Sequence, residues 1–203
     1  MARPCELGRI GAPRPNVRLF FALFPDADAV ACIVRLARAL RNELTLKSNS
    51  IRAERLHVTL HFLGNYTDLP RSVIAAARVA AGRVVQPRFE IAFDRVSSFG
   101  GRSRKRPLVM LGGDDLSRLH ALRDALAGEL EQVGLTEMVD RRFTPHLTLL
   151  YDDRAVASRR VDRIAWTARE FVLVHSLVGR GEHCILDRWP LTAAPAPQPG
   201  VAP

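Results

Sequence analysis

Cysteine is scarce in this 203-residue chain, which has only Cys5, Cys32 and Cys184. They are odd in number and far apart. That excludes a disulfide framework and offers none of the paired spacings of a structural zinc site. Reduced thiols in a cytoplasm are therefore expected. Long apolar runs are missing too. None approaches the ~20 residues that span a bilayer, and the opening stretch MARPCELGRIGAPRPN lacks the apolar centre of a secretory signal. Neither membrane association nor export is expected. Acidic residues are outnumbered: 21 Asp and Glu stand against 30 Lys and Arg, for a formal net charge of +9. Such a surface attracts polyanions, nucleic acid among them. A solvated, arginine-rich surface without any such partner would have the same composition.

The chain is long enough to bury a full core, as one domain or as two intimately packed lobes. Residues 1–16 are rich in Pro, Gly and Arg and read as a flexible leader. Residues 193–203, AAPAPQPGVAP, form a Pro/Ala tail that packs no core. Between them strands and helices alternate. Val17–Phe24 reads as a strand, followed by a helix capped by Asp26 or Asp28 with Val30, Ile33, Val34, Ala37 and Leu40 at helical spacing. Leu56–Leu63 is a strand, and Thr67 or Asp68 opens a helix running to Val79. Phe89–Phe99 and Pro107–Leu111 are strands joined by a basic loop. Asp114 or Asp115 caps a helix with the stripe Leu116, Leu119, Leu122, Leu126 and Leu130. Phe143–Tyr151, Ile164–Val178 and Cys184–Leu191 complete the strands, the last two joined by a hairpin at Gly179-Arg180-Gly181. With few helices among many strands, the order predicts an α+β fold of two antiparallel sheets side by side, each with outer helices.

The most informative feature is a repeated tetrapeptide. His57-Val58-Thr59-Leu60 returns 89 residues later as His146-Leu147-Thr148-Leu149, each time within an apolar run. In a strand, alternate side chains share a face, so each His points with its Thr while the residue between them points to the core. Two imidazoles and two hydroxyls on one cleft suit a cyclic phosphodiester. One imidazole can activate water and the other can protonate the leaving alkoxide near neutral pH. The hydroxyls can donate to nonbridging oxygens where negative charge grows. This scheme needs no metal or cofactor.

With RLFFALFPD near the start, LHVTLHFLGN, FTPHLTLLY and the closing FVLVHSLVGRGEHCILDRWPL, the chain resembles the 2H phosphoesterase superfamily. Within it, the resemblance is to the LigT-like RNA 2′,3′-cyclic phosphodiesterases of the 2′-5′ RNA ligase family. It spans about residues 17–192 and implies a single bilobal domain: two pseudo-symmetric lobes, each an antiparallel sheet with outer helices, around a central cleft. It also implies metal-independent hydrolysis of RNA 2′,3′-cyclic phosphate ends to 2′-phosphomonoesters, with weak reversible 2′-5′ ligation. Carried over, His57 and His146 are the acid–base pair and Thr59 and Thr148 the phosphate holders. His146 would activate water and His57 protonate O3′, although the pseudo-symmetry permits the reverse. The chain departs from the pattern at Tyr151, where many relatives carry an arginine. Strict alternation sets Tyr151 on the face opposite His146 and Thr148, packing into the lobe.

Other candidates carry less. His61 shares the His57 face by alternation and would line the cleft. His57 and His61 at i, i+4 echo a zinc helix, but Val58 stands where that motif needs a glutamate and the run favours a strand. Arg102, Arg104, Lys105 and Arg106 form a loop that meets an RNA backbone or is simply solvated. Arg141 and Arg142 lie just before the second motif strand and are better placed for phosphate. Phe20 or Phe24 is expected to flank the cleft or pack in the core. His120, His175 and His183 are read as structural or solvated. Two other readings stay open: a noncatalytic RNA- or nucleotide-binding module, and a phosphodiesterase of small cyclic nucleotides. The partner expected is RNA with a cyclic phosphate end, and a monomer is the default.

Overall fold

A computed structural model describes residues 16–100, 104–113, 115–177 and 182–193. Alternation in VRLFFAL makes a strand, β1 (Val17–Leu23). Its Leu19, Phe21 and Leu23 enter the main core, while Phe20 and Ala22 face the other way, into a small apolar cluster with Val172 and Val174. Asp26 then caps α1 (Ala27–Glu43), its side chain accepting from the Ala29 amide and satisfying a donor the helix leaves unpaired. The remaining elements are β2 (Val58–Tyr66), α2 (Arg71–Arg83), β3 (Phe89–Ser98), β4 (Arg106–Leu111), α3 (Ser117–Gln132), β5 (His146–Asp152), β6 (Arg159–Ala168), β7 (Glu170–Leu177) and β8 (Glu182–Pro190).

The fold is α+β, as the element order predicts. Its strands form two antiparallel groups, β6-β3-β4-β5 and β2-β1-β7-β8, hydrogen-bonded edge to edge into one eight-stranded sheet. The join is thin. Strands β2 and β5 pair at a single register position, Val58 with Leu147, in each motif the residue between the His and the Thr. Elsewhere they diverge, and residues 50–51 fill the gap beside β5 through a Ser50–Leu150 bridge and an Ile51 amide 2.7 Å from the Leu149 carbonyl oxygen. At one rim the outer ends of the sheet approach each other. Only Arg169 separates β6 from β7, and Pro87 bridges to Thr192. One apolar core, drawn from the strands of both groups and from all three helices, backs the whole sheet.

Some local expectations fail for identifiable reasons. The Ile164–Val178 stretch is two strands, because β6 pairs with β3 while β7 pairs with β1, so the chain changes group at Arg169. Helix α2 begins beyond Thr67 and Asp68, with Pro70 at its N-cap, and α3 has Leu116 there. Neither has a side-chain cap. Proline, with its fixed φ, suits such a helix start without supplying an acceptor. Asp114 and the Gly179-Arg180-Gly181 turn lie outside the described residues.

Candidate active site

Alternation places Val58 and Leu147 in the core and turns His57, Thr59, His146 and Thr148 into one cavity of about 210 Å³. The Val58–Leu147 register sets each histidine across from the other motif's threonine, as a local two-fold axis between the strands requires. The two rings are held alike. His57 Nδ1 lies 2.7 Å from the Arg55 carbonyl oxygen, and His146 Nδ1 lies 2.7 Å from the Thr144 carbonyl oxygen. A carbonyl only accepts, so each Nδ1 carries the hydrogen and donates it. The neutral tautomer then has its lone pair on Nε2.

Their surroundings differ. His57 is stacked on Phe20, with centroids 5.0 Å apart and planes at 27°, and is flanked by Phe24 and the edge of His183. Burial lowers its pKa from the ordinary value. The Arg55 carbonyl bond opposes that shift, while the Arg55 charge and His146 add to it. His146 has one aromatic neighbour, the edge of Phe99 at 4.9 Å. His183 is the third imidazole in the cavity. Burial first, then His57, Arg55 and Arg52, hold it down at about 4. The Arg55 Nε–H donates to its Nε2 at 3.5 Å, a bond only an uncharged His183 can accept. Arg18 and Arg55 bring positive charge to the cavity walls.

Beyond the motif threonines, alternation breaks in both strands at the same place. Phe21 pairs with His61 and Ala22 with Thr59, so Leu60 is an extra residue in β2; Leu108 pairs with Leu150 and Val109 with Thr148, so Leu149 is an extra residue in β5. Such a β-bulge reverses the facing of everything after it. His61 is therefore buried away from the cleft, its Nε2 2.9 Å from the Arg123 carbonyl oxygen, which corrects its expected place. Tyr151 is corrected in the opposite sense. It lines the cleft, 48% exposed, and Phe62 matches it from β2 at 46%.

The basic candidates fall elsewhere. Arg141 is ion-paired with Glu131 and the Arg142 amide donates to Asp140, and neither residue lines the cleft. Lys105 and Arg104 line depressions adjoining Tyr151 and Asp152. Arg106 opens β4 opposite Asp152, and Arg102 lies outside the described residues. His120 packs edge-on to Phe143, and His175 stands in β7 opposite Leu19 and Cys184. Arg18, Ile51, Arg55, Phe62, Ser176 and His183 are cavity residues that the sequence reading did not single out for the cleft. A pair of consecutive apolar residues after the second threonine, Leu149-Leu150, was the one available sign of the bulge. Among the described residues, no three His, Cys, Asp or Glu side chains gather as metal ligands, and no helix is long and apolar enough to cross a membrane.

A family model described as the 2′-5′ RNA ligase superfamily matches residues 14–180. Among solved structures, a phosphoesterase is 27% identical with a TM-score of 0.70, the match covering 88% of this chain and 99% of that one. E. coli LigT complexed with 3′-AMP is 28% identical, also with a TM-score of 0.70 and the same coverage. Usb1 of Kluyveromyces marxianus shares the fold at 10% identity and a TM-score of 0.52, over 87% of this chain and 99% of its own. No curated protein sequence matches the chain.

Proposed function

The chain belongs to the 2′-5′ RNA ligase superfamily, and from that premise we propose that it opens 2′,3′-cyclic phosphate ends of RNA to 2′-phosphomonoesters. The observation that carries this reading is the matched pair of imidazoles. Each has its Nδ1 tied to a backbone carbonyl and sits with a threonine hydroxyl in the same cavity. His146 Nε2 takes a proton from water as the water oxygen attacks phosphorus. The P–O3′ bond breaks and His57 Nε2 delivers its proton to O3′, leaving the phosphate on O2′. A ring lowered by burial is a ready proton donor once an anionic phosphate has drawn a proton onto it. Thr59 and Thr148 donate to the nonbridging oxygens, where charge builds in the transition state. With an RNA 5′-hydroxyl in place of water as the nucleophile, the same steps form a P–O5′ bond as P–O3′ breaks and join RNA ends weakly through a 2′-5′ bond, and their reversal cleaves that bond.

The net charge of +9 and the arginines in the cavity wall favour RNA over a small cyclic nucleotide. The unpaired thiols of Cys32 and Cys184 suit a cytoplasmic protein, and we take it to act as a monomer. The test is an EDTA-treated preparation with an RNA oligonucleotide ending in a 2′,3′-cyclic phosphate, the product being identified by phosphate position. A 2′-phosphate is expected, and His57→Ala and His146→Ala should each lower kcat by roughly 10²–10⁴-fold. RNA binding without turnover would replace this reading with a binding module. Turnover of cyclic mononucleotides alone would replace the substrate.

A further inference from the structure

Tyr151 lines two cavities. One is the catalytic cleft, and the other is a groove of about 560 Å³ that leads away from it between Lys47, Ser48 and Asn49 on one side and Lys105 on the other, with Asp153 beside Tyr151. Two structural features make this a built groove. The 47–49 wall is held in place, because the Asp152 carboxylate accepts the amides of Lys47 and Ser48 at 2.9 Å each. The opposite wall comes from the turn into β4, whose Arg106 and Pro107 pair with Asp152 and Tyr151. The end of β5 is therefore the floor, with one lysine on each flank. Among the described residues, neither Lys47 nor Lys105 has a carboxylate within ion-pair distance, whereas Asp152 is already engaged by three backbone amides. Among the described residues that line the groove, Asp153 alone carries a carboxylate, against two lysines, so positive charge prevails.

Two lysine ammonium groups, a serine hydroxyl and an asparagine amide beside an exposed aromatic ring make up the chemistry of a single-stranded nucleic-acid track. Ammonium and amide groups follow phosphates, and the ring offers a stacking face that accepts any base. A cyclic phosphate occupies the 3′ end of its strand, so the remainder of the RNA leaves the cleft in the 5′ direction. Building on the reading above, we propose that the Lys47–Lys105 groove binds the backbone 5′ to the terminal nucleotide, which makes an RNA strand rather than a mononucleotide the preferred ligand. Tyr151, exposed and lining both cavities, gives a stacking surface at the junction of cleft and groove.

The decisive experiment measures binding, so that it does not depend on turnover. The probes are a hexaribonucleotide ending in a 2′-phosphate and the corresponding nucleoside 2′-phosphate, titrated into wild type and the Lys47→Gln/Lys105→Gln variant across a salt series. Each phosphate neutralised on a single strand contributes about 0.7 to the slope of log affinity against log salt, so losing two should flatten the hexamer slope by about 1.4. The mononucleotide, which reaches only the cleft, should give the same slope for both proteins. An unchanged hexamer slope, or equal losses for both probes, would overturn the groove. If the hexamer slope flattens and yet the wild type hydrolyses no cyclic end, the groove stands and the proposed reaction falls. Matching thermal unfolding of the two proteins excludes a folding artefact.

Discussion

His183 presents its ring edge to His57, with centroids 5.1 Å apart and planes at 75°. Phe20 stacks on His57 and also meets His183 edge-on at 5.5 Å, so the three rings form a mutually contacting triangle. The ring of His57 is thus packed against two other rings while its Nδ1 is tied to the Arg55 carbonyl, and rotation of the imidazole is opposed by that clamp. Held near 4, His183 is uncharged at neutral pH, so it supports His57 without opposing a proton there.

This clamp predicts an unequal pair of variants. His183→Phe keeps an aromatic edge against His57 and should retain most of kcat. His183→Ala leaves His57 free to turn and should lose up to ~10²-fold, the scale of a catalytic group displaced by about an ångström. Equal losses in single-turnover rates would instead mean that His183 handles a proton itself.

The same residue makes stability depend on pH. In the unfolded chain His183 takes up a proton below its ordinary value of 6.5, while in the folded protein it does so only at about 4. Between those values the unfolded state holds more protons, so stability is lost as pH falls from 6.5 towards 4 and is complete above 6.5. His57, also lowered by burial, acts in the same direction. Urea midpoints at several pH values should therefore converge on, or drop below, those of His183→Phe as the solution is acidified. Parallel curves would show that His183 is not held uncharged.

Activity should follow a bell in kcat/KM, because one imidazole must arrive without a proton and the other with one. Burial sets the acidic limb below the ordinary imidazole range, since His57 is the ring it lowers. A rate profile that stays flat between pH 5 and 8 would contradict paired histidine catalysis.

Asp152 holds the 47–48 backbone against β5. Burial alone would raise its pKa. The amides of Ser48 and Arg154, the Asp153 carboxyl and the Lys47 amide outweigh that and bring it from 3.8 to about 2. Its contribution is present above pH 3.8 and is lost as pH falls through about 2. Asp152→Ala strands three backbone donors, with an expected cost of about 2–3 kcal/mol at neutral pH. Urea unfolding within 0.5 kcal/mol of wild type, a threshold taken as roughly the scatter of neutral surface changes, would show the carboxylate to be dispensable.

The repeated motif was legible because both of its properties are local. Alternation sorts Val58 and Leu147 inward and His57, Thr59, His146 and Thr148 outward, and a strand's pleat needs no partner to do that. The facing of His61 and Tyr151 was not legible, because a bulge belongs to the pairing of two strands. Leu60 and Leu149 are extra residues only relative to β1 and β4. His183 was hidden for a related reason. It reaches Arg55 across 128 positions, and a lone histidine in a late strand gives no sign of which strand it will face. Arg141 and Arg142 misled by proximity in sequence, since the chain turns them towards Glu131 and Asp140 before the second motif begins.

The two groups of strands also differ in when they can be assembled. One is continuous in sequence, β3 to β6, and its widest pairing, Phe89 with Ala168, closes over about half the span of the β1–β7 pairing. The other carries His57 just before β2, yet β1 beside it pairs with β7, from Ala22 with Val172 to Val17 with Leu177, so 150 or more residues must be made before that sheet can close. Contacts of such span form slowly, because a long loop must be ordered before it is rewarded. A nascent chain holding both histidine motifs is therefore still without the cavity they share, which is complete only with the last two strands.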